Sequence, residues 1–405
     1  MSALHPFRAL RPEAGIAPRV ASVPYDVVNT DEARALAEGN PLSFLHVTRS
    51  EIDLPAGTNP YDSTVYAKAA SNLGQLRTAA PLVVEDEPSL YLYRLRMGTH
   101  EQTGLAGCFS VDEYDRGLVK KHEKTRKDKE DDRTRHITEL RAQTGLVFLT
   151  YRASEAVHAI VPRVTSRAPL FDFVAPDGVT HTVWRVTGSD CDALVRAFAA
   201  LDALYIADGH HRAASASRAC HAMRDAGTGS GDSARFVAVA FPDDQMQILP
   251  YNRVVRDLAG HTPESLLTAL RGVGSVYDGS ASPERPGQVS VLLGGKWHTL
   301  HLPQPGPGAS HADGLDVEVL QQRVLQPLLN VDDPRTDKRI DFVGGIRGTA
   351  ELERLVREGK AAVAFSMYPV SIGDLMSIAD AGGIMPPKST WFEPKLRDGL
   401  LVHLI

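Results

Sequence analysis

The sequence predicts a mixed α/β (α+β) protein organised as two units. Short apolar runs typical of buried strands alternate with amphipathic helical segments along the 405 residues. Hydrophobic residues make up 43% and charged residues 23% of the chain, values typical of a globular protein with a substantial core. From residue 257 onward the chain looks like a new unit. We therefore predict a first domain over residues 1–256 and a C-terminal α/β domain over residues 257–405.

Local patterns justify the elements of the first domain. Thr30 can cap a helix with acidic residues in its first turn, and helical spacing of apolar residues predicts a second helix over 61–79. Alternating apolar residues and turn residues predict β-hairpins over 89–111 and 171–186. The remaining predicted elements are a strand at 43–48, a helix from about 134 to 143, a strand at 146–151, a helix at 190–201, a strand and helix over 204–217, and strands at 235–241 and 246–255.

The second domain is predicted from the same kinds of pattern. A hairpin over 289–302 turns at Gly294 and Gly295, and a helix at 263–271 precedes it. The later elements are a helix at 315–329, a strand entered at Phe342, a helix at 349–358, a strand at 361–367, a helix at 371–381 and a strand at 400–404.

Composition excludes several classes of protein. A net charge of −6 argues against nucleic acid as the main partner, because such proteins carry a domain-wide excess of basic residues. Cys108, Cys191 and Cys220 form no zinc or redox spacing, which fits a reducing compartment and ordinary core positions. Neither a signal segment nor a run of ~20 apolar residues is present. We expect a cytoplasmic protein that binds neither nucleic acid nor membrane, and the oligomeric state stays open.

The strongest functional motif lies at 204–212, where a short apolar run leads into Asp-Gly-His-His-Arg. Asp208 ends the strand and can cap the next helix, while Gly209 permits a close turn. The N–H groups of the first helical turn, together with the helix dipole, form a natural anion site.

Three basic side chains gather at this helix start: His210, His211 and Arg212. The guanidinium of Arg212 offers a planar fork of donors suited to phosphate or carboxylate. A strand-to-helix turn with polar residues is common without any ligand. Three potential cations at the positive end of a helix are unfavourable unless an anion binds, however, so we favour a phosphate site.

The Asp-Gly-His-His-Arg motif resembles the Asp-Gly-x-x-Arg sequence of the ParB/sulfiredoxin-like fold, where it grips nucleotide phosphates after a strand. Archaeal free-serine kinases with that fold carry a near copy. The whole chain, from Pro-Phe-Arg-Ala at 6–9 to the segment 385–395, also resembles a long-uncharacterised family of bacteria and archaea. Some members of that family are linked to ATP-dependent phosphorylation of free serine. The resemblance implies a ParB/sulfiredoxin-like core with large insertions, over which the C-terminal domain closes.

A second candidate segment, 120–133, carries dense charge of both signs. Most such runs are salt-bridged surface loops. A carboxylate among cations can instead stay ionised and act as a base. The family resemblance favours this role for Glu123. Lys120, Lys121 and Arg133 could neutralise the charge that develops on the phosphates.

Four further segments also resemble those of the family but have simple structural explanations. Two prolines could hold Lys388, Ser389 and Thr390 as donors facing a phosphate or carboxylate, or they could stiffen a loop whose aromatic residues plug a core. The Pro-Tyr-Asp segment at 24–26, the charged turn at 332–341 and the Asn-Arg pair at 252–253 could close over a ligand. The turn and the pair could equally serve only as a turn and a backbone bridge.

Together with the resemblance, these residues predict transfer of a phosphoryl group from ATP to the hydroxyl of a free amino acid. The expected acceptor is L-serine and the expected product is O-phospho-L-serine. ADP is the alternative donor. The implied catalytic residues are Glu123, Asp208, His210 and Arg212. The implied nucleotide-binding residues are Gly209, His210, His211, Arg212, Lys120, Lys121, Arg133, Lys388, Ser389 and Thr390. Asp208 is the implied Mg²⁺ ligand, or a group in contact with a ligand of that ion. The main alternative is a non-catalytic nucleotide-dependent switch of the same fold. A sulfiredoxin-like reaction is disfavoured, because the motif contains no cysteine.

Overall fold

The computed structural model describes residues 4–79, 82–306 and 308–405. Internal contacts divide the chain into two units, the first containing residues up to Met246 together with Pro394–Ile405, and the second containing Gln247–Glu393. These limits differ from the domains drawn from the sequence at residue 257. The last residues join the first unit because His403 pairs with Gln143 and Val402 pairs with Leu10, contacts that no local pattern reveals.

A nine-stranded mixed sheet forms the centre of the first unit. Its strands in chain order are Leu4–His5 (β1), Leu90–Met97 (β2), His100–Ser110 (β3), Val119–Lys120 (β4), Val147–Tyr151 (β5), Phe171–Val174 (β6), Thr180–Val186 (β7), Leu204–Asp208 (β8) and Arg235–Pro242 (β9). The spatial order is β4-β8-β5-β9-β3-β2-β7-β6, with β1 beside β3. The mixed α/β class and both predicted hairpins, β2–β3 and β6–β7, are confirmed.

Helices of the first unit pack against this sheet and its loops. The longer ones are Thr30–Ala37 (α1), Ser63–Ala79 (α2), Lys127–Leu140 (α3), Gly188–Ala199 (α4) and His210–Asp225 (α5), and the shorter ones are Ala17–Val20, Leu45–Thr48, Val111–Asp115, Glu155–His158 and Val161–Thr165. Ile206 of β8 and Ala213 of α5 are both fully buried in the main hydrophobic core. This burial holds the strand and the helix of the candidate motif in fixed positions.

Several predicted elements of the first unit differ from the structure. The apolar run at 43–48 is not a strand but contains the helix Leu45–Thr48, since a short apolar run does not distinguish the two. Helix α3 begins at Lys127, well before residue 134, because its Lys, Asp, Glu and Arg side chains are compatible with a solvated helix. The cap of α1 is Asn29, which forms a capping box with Glu32.

The second unit contains a six-stranded antiparallel sheet with helices packed against it. Its strands are Tyr251–Val255 (β10), Val276–Asp278 (β11), Gln288–Leu293 (β12), Lys296–His301 (β13), Ile340–Gly344 (β14) and Val363–Met367 (β15), in the spatial order β11-β13-β12-β15-β10-β14. The helices are Pro263–Val273, Asp316–Leu320, Gln326–Leu329, Gly348–Arg357 and Ile372–Asp380, with a π-helical turn at Gln321–Leu325. The predicted strand at 246–255 is divided into Gln247–Leu249 and β10.

Small two-stranded pairings complete the structure. They join Leu10–Arg11 to Val83–Val84, Ala142–Gln143 to His403–Leu404, and Gln247–Leu249 to Trp391–Glu393. Cys108, Cys191 and Cys220 are buried free thiols, as expected. Across the described part of the chain, no helix combines the length and apolar character needed to cross a membrane.

Candidate functional site

The motif at 204–212 folds as predicted into strand, tight turn and helix. Gly209 lies between β8 and α5 with φ +92° and ψ 29°, a left-handed conformation that favours glycine. A Cβ atom at this position would also approach Cζ of Arg212 to 3.2 Å. The N–H of Ala213 donates to the carbonyl of Gly209, which leaves the three preceding N–H groups pointing out of the helix start. The turn thus has the geometry of an anion site.

Asp208 is held by protein donors rather than left open for a metal. Its Oδ1 accepts the N–H of Gly209 at 2.8 Å and its Oδ2 accepts Nζ of Lys395 at 3.0 Å. Burial alone raises the pKa of Asp208, but Lys395 and Arg212 outweigh it and lower the pKa well below the usual range. The helix cap is Gly209 and not Asp208. An ammonium group on Oδ2 does not fit Asp208 as a direct Mg²⁺ ligand. The alternative role of Asp208, in contact with a ligand of the ion and not with the ion itself, stays a prediction.

Arg212 is a buried side chain whose two Nη groups donate to protein acceptors, while its buried Nε has no hydrogen-bond partner among the described residues. One Nη donates to the carbonyl of Leu146, and the other donates to Oδ2 of Asp26 at 3.2 Å and lies 3.8 Å from Asp208. Burial lowers the pKa of Arg212, and the carboxylates of Asp26 and Asp208 more than reverse this. The guanidinium therefore stays charged and ties the motif to segments far away in sequence. Its predicted contact with a phosphate stays a prediction.

Asp398 lies beside this ion network and is fully buried. Burial raises its pKa from the usual 3.8 to about 7, although Arg212 acts in the opposite direction. Between pH 4 and 7 the folded protein holds a proton that the unfolded chain releases. The stabilisation from this group is therefore complete below its unfolded pKa and is lost as the pH rises through about 7.

Asp398→Asn, which mimics the protonated acid, is expected to remove this pH dependence. Urea unfolding of the variant and of the native protein between pH 5 and pH 8 should show the variant gaining relative stability as the pH rises. Asp31→Asn is the control, because the Asp31 side chain is 94% exposed. Parallel stability curves for Asp398→Asn and the native protein would contradict a raised pKa at Asp398.

The two histidines of the motif are not cations in the folded protein. Nε2 of His210 accepts the N–H of His122 at 3.4 Å, and Nε2 of His211 accepts the N–H of Arg126 at 3.0 Å. Burial lowers the pKa of both imidazoles, so both are neutral at neutral pH. The expectation of three gathered cations is therefore wrong, and the argument for an anion here rests on the N–H groups of the helix start.

The charged segment at 120–133 lies beside the motif at 204–212. Two of the candidate segments predicted from the sequence are therefore neighbours in the structure. Strand β4 pairs in parallel with β8, aligning Val119 with Leu204. This register brings Oε2 of Glu123 to 3.9 Å from Nδ1 of His210. Because Nε2 of His210 accepts a hydrogen bond, the proton of this neutral ring is on Nδ1, facing the Glu123 carboxylate. The Glu123 side chain is 41% exposed, so a substrate can reach it.

His122, Glu123 and His210 form a group that could hold a metal ion, with ligand atoms within 4.8 Å of one another. Two imidazoles and a carboxylate suit Zn²⁺ or another transition metal better than Mg²⁺, which prefers oxygen ligands. Sequence spacing missed this group, because adjacent His and Glu residues match no metal motif. The parallel pairing of β4 with β8 was the missing information.

The other predicted phosphate-binding cations of the first unit contact aromatic rings. Nζ of Lys121 lies 3.6 Å from the ring centre of Tyr114, and burial lowers its pKa. Nζ of Lys120 lies 6.0 Å from the ring of Tyr205.

Arg133 is likewise engaged by protein groups. It lies 4.1 Å from the ring of Tyr25 and donates to Asp132 at 2.8 Å. The roles of Lys120, Lys121 and Arg133 in binding nucleotide stay predictions.

The predicted donors Lys388, Ser389 and Thr390 belong to the second unit. Ser389 is buried, and its hydroxyl donates to the carbonyl of Pro386 at 2.7 Å. Lys388 has φ +59° and an exposed side chain, with Nζ 5.4 Å from the ring of Tyr251. Their binding of nucleotide stays a prediction.

Three side chains of the ion network were not assigned to the site from the sequence: Asp26, Lys395 and Asp398. Asp26 and Lys395 lie in segments that the sequence resemblance singled out, Pro-Tyr-Asp at 24–26 and the end of 385–395. Those segments were the sequence feature that could have indicated Asp26 and Lys395. No sequence feature indicated Asp398, because only its proximity to Arg212 and Gly145 in the structure reveals it.

A family described as a protein of unknown function, DUF1015, matches residues 4–325. The chain belongs to the DUF1015 family. No curated protein matches it significantly. The family membership confirms the resemblance to an uncharacterised family, and it assigns no activity.

Solved structures with similarity to this DUF1015 chain share little sequence with it. SbnI with a C-terminal truncation from Staphylococcus aureus is 13% identical with a TM-score of 0.41, covering 74% of this chain and 87% of that chain. A free serine kinase in complex with AMP is 12% identical with a TM-score of 0.37, covering 72% and 91%. A conserved hypothetical protein from Pyrococcus furiosus is 15% identical with a TM-score of 0.36, covering 74% and 95%. Such TM-scores do not establish a common fold, so the ParB/sulfiredoxin-like core stays a prediction.

Proposed function

We propose that this protein is an ATP-dependent phosphotransferase acting on the hydroxyl group of a small free amino acid, with L-serine as the expected acceptor. The observation that carries the proposal is the 3.9 Å approach of the Glu123 carboxylate to His210, the first residue of helix α5. It sets a candidate base beside a candidate phosphate site, although 87 residues separate the two in sequence. Phosphoryl transfer requires this combination of positioning and charge.

The proposed reaction assigns a task to each group. The N–H groups at the start of α5 hold the nucleotide phosphates, helped by the dipole of the helix. Glu123 accepts the proton of the acceptor hydroxyl, whose oxygen bonds to the terminal phosphorus while the bond to the leaving ADP oxygen breaks. Nδ1–H of neutral His210 faces the carboxylate of Glu123 and orients it.

The anchoring of the turn supports the same assignment. Asp208 and Arg212 connect the two ends of the turn to Lys395 and Asp26, so the phosphate-binding N–H groups are held in place before any ligand arrives. Preorganised donors of this kind stabilise transferred charge without rearrangement during the reaction. Asp208 and Arg212 thus act as positioning residues in this proposal.

The decisive experiment incubates the protein with ATP or ADP, a divalent cation and a panel of free amino acids, with mass spectrometry to detect phosphorylated products. We expect O-phospho-L-serine to form from L-serine and ATP. Absence of product from serine, threonine and homoserine with either nucleotide would overturn the proposal. Nucleotide binding without any product would instead support a nucleotide-dependent switch.

A further inference from the structure

The second unit contains a cavity of about 310 Å³ at which three segments meet that the sequence resemblance singled out. Its lining includes Arg253 of β10, the turn at 332–335 and the prolines at 386–387, and the π-helical turn at Gln321–Leu325 contributes Gln321. Cavities of this size hold small ligands, and π-helical turns are frequent at functional sites. The function proposed for the first unit uses none of these residues.

Arg253 is a buried cation, and the described part of the chain supplies no counter-charge to it. The residue is 3% exposed, and its two Nη groups donate to the carbonyls of Tyr251 and Lys388. Burial lowers its pKa to about 10, so it remains charged at neutral pH. In residues 4–79, 82–306 and 308–405, no carboxylate forms an ion pair with it. Buried charges are normally paired, so this guanidinium points to an anion that binds in the cavity.

Gln321 is a second incomplete polar group in the lining. Its Nε2 donates to the carbonyl of Val331 at 2.7 Å, which fixes the orientation of the amide. Its Oε1 is buried, and no residue in the described ranges donates a hydrogen bond to it. Buried acceptors of this kind are seldom left unsatisfied, so a donor on the ligand is expected here.

Carboxylates in the lining restrict the ligand further. Glu318, Asp332 and Asp333 all contribute to the cavity wall. Asp333 accepts a hydrogen bond from an Nη group of Arg335 at 2.8 Å, while Asp332 is exposed. A ligand with two negative groups would be repelled by these acids, whereas a positive group next to them is stabilised.

We propose that this cavity binds a free α-amino acid, with Arg253 holding its carboxylate and with Gln321 and Asp332 holding its ammonium group. Arg253 supplies donors for the carboxylate, and Oε1 of Gln321 supplies the acceptor that the ammonium group needs. The inference goes beyond the function proposed above. It concerns the second unit and needs no nucleotide, so failure of phosphoryl transfer leaves it standing.

The test is calorimetric titration of the full chain, without nucleotide, against the twenty free amino acids one at a time. We expect saturable binding of at least one of them. Its methyl ester and its N-acetyl derivative, which lack the carboxylate charge and the ammonium charge respectively, should each bind at least about 30-fold more weakly. Inorganic phosphate should not compete. These probes use the native protein and do not depend on the folding of any variant.

Two variants locate the site. Arg253→Gln is expected to weaken binding of that amino acid by about 30-fold or more, and Arg357→Gln, an exposed arginine of the same unit, should leave it unchanged. Thermal unfolding without ligand checks that Arg253→Gln remains folded. The proposal is overturned if no amino acid binds, if the ester binds as well as the acid, if phosphate displaces it, or if folded Arg253→Gln binds normally.

Discussion

Glu123→Gln is expected to lower kcat for phosphoryl transfer by about 10²- to 10⁴-fold, the usual contribution of a positioned general base. The amide keeps the size of the side chain and its place beside His210 but cannot take the hydroxyl proton. Nucleotide affinity should change by less than about two-fold, because backbone N–H groups at the start of α5 hold the phosphates. Product formation measures the first effect, and equilibrium nucleotide titration measures the second.

Glu139→Gln is the matched control for this experiment. Glu139 lies on α3 with a side chain that is 50% exposed, 3.8 Å from Arg135, and its substitution should leave kcat unchanged. Normal turnover in Glu123→Gln would show that Glu123 is not the base. Loss of nucleotide affinity together with turnover would show that the carboxylate contributes to ligand binding instead of proton transfer alone.

Arg212→Met is expected to lower the free energy of unfolding by about 1–3 kcal/mol at pH 7, because it removes the hydrogen bonds of a buried guanidinium to the carbonyl of Leu146 and to Asp26. The guanidinium donates to Asp26 at 3.2 Å and lies 3.8 Å from Asp208, and its side chain is only 7% exposed. Urea denaturation gives this free energy directly. In the double variant with Asp26→Asn the two losses should add to less than their sum, because both substitutions remove the same Arg212–Asp26 interaction.

Arg218→Met is the control for this experiment, because it removes an arginine of the same helix that is exposed and not buried. Its side chain is 39% exposed and pairs with Glu130 at 3.1 Å, so a loss of no more than about 1 kcal/mol is expected. If Arg212→Met were as stable as Arg218→Met but failed to bind nucleotide, the principal role of Arg212 would be contact with the ligand rather than anchoring of the turn.

Local elements could be predicted from the sequence because their causes are local. The hairpin β12–β13 turns at Gly294 and Gly295, both with positive φ, and strand β8 and helix α5 follow the apolar run and Gly209 as expected. The prediction of a strand at 43–48 was wrong, because only tertiary packing decides whether such a short apolar run forms a strand or a helix.

The chemical state of the motif could not be predicted in the same way. Whether His210 is a cation depends on its burial and on the N–H of His122, which are consequences of packing. The partner of Arg212 is Asp26, 186 residues away in sequence. A pKa depends on the desolvation and charge of the folded site, so residue type alone does not determine it.

The sequence by itself thus determined the mixed α/β class, the strand-turn-helix at 204–212 and the residues worth testing. Only the tertiary structure decided that β4 pairs with β8 and brings Glu123 to His210, and that Arg253 and Gln321 line one cavity. The physical reason is the range of the interactions. Turns, caps and hydrophobic periodicity act over a few residues, whereas strand register, burial and charge pairing join segments that are distant along the chain.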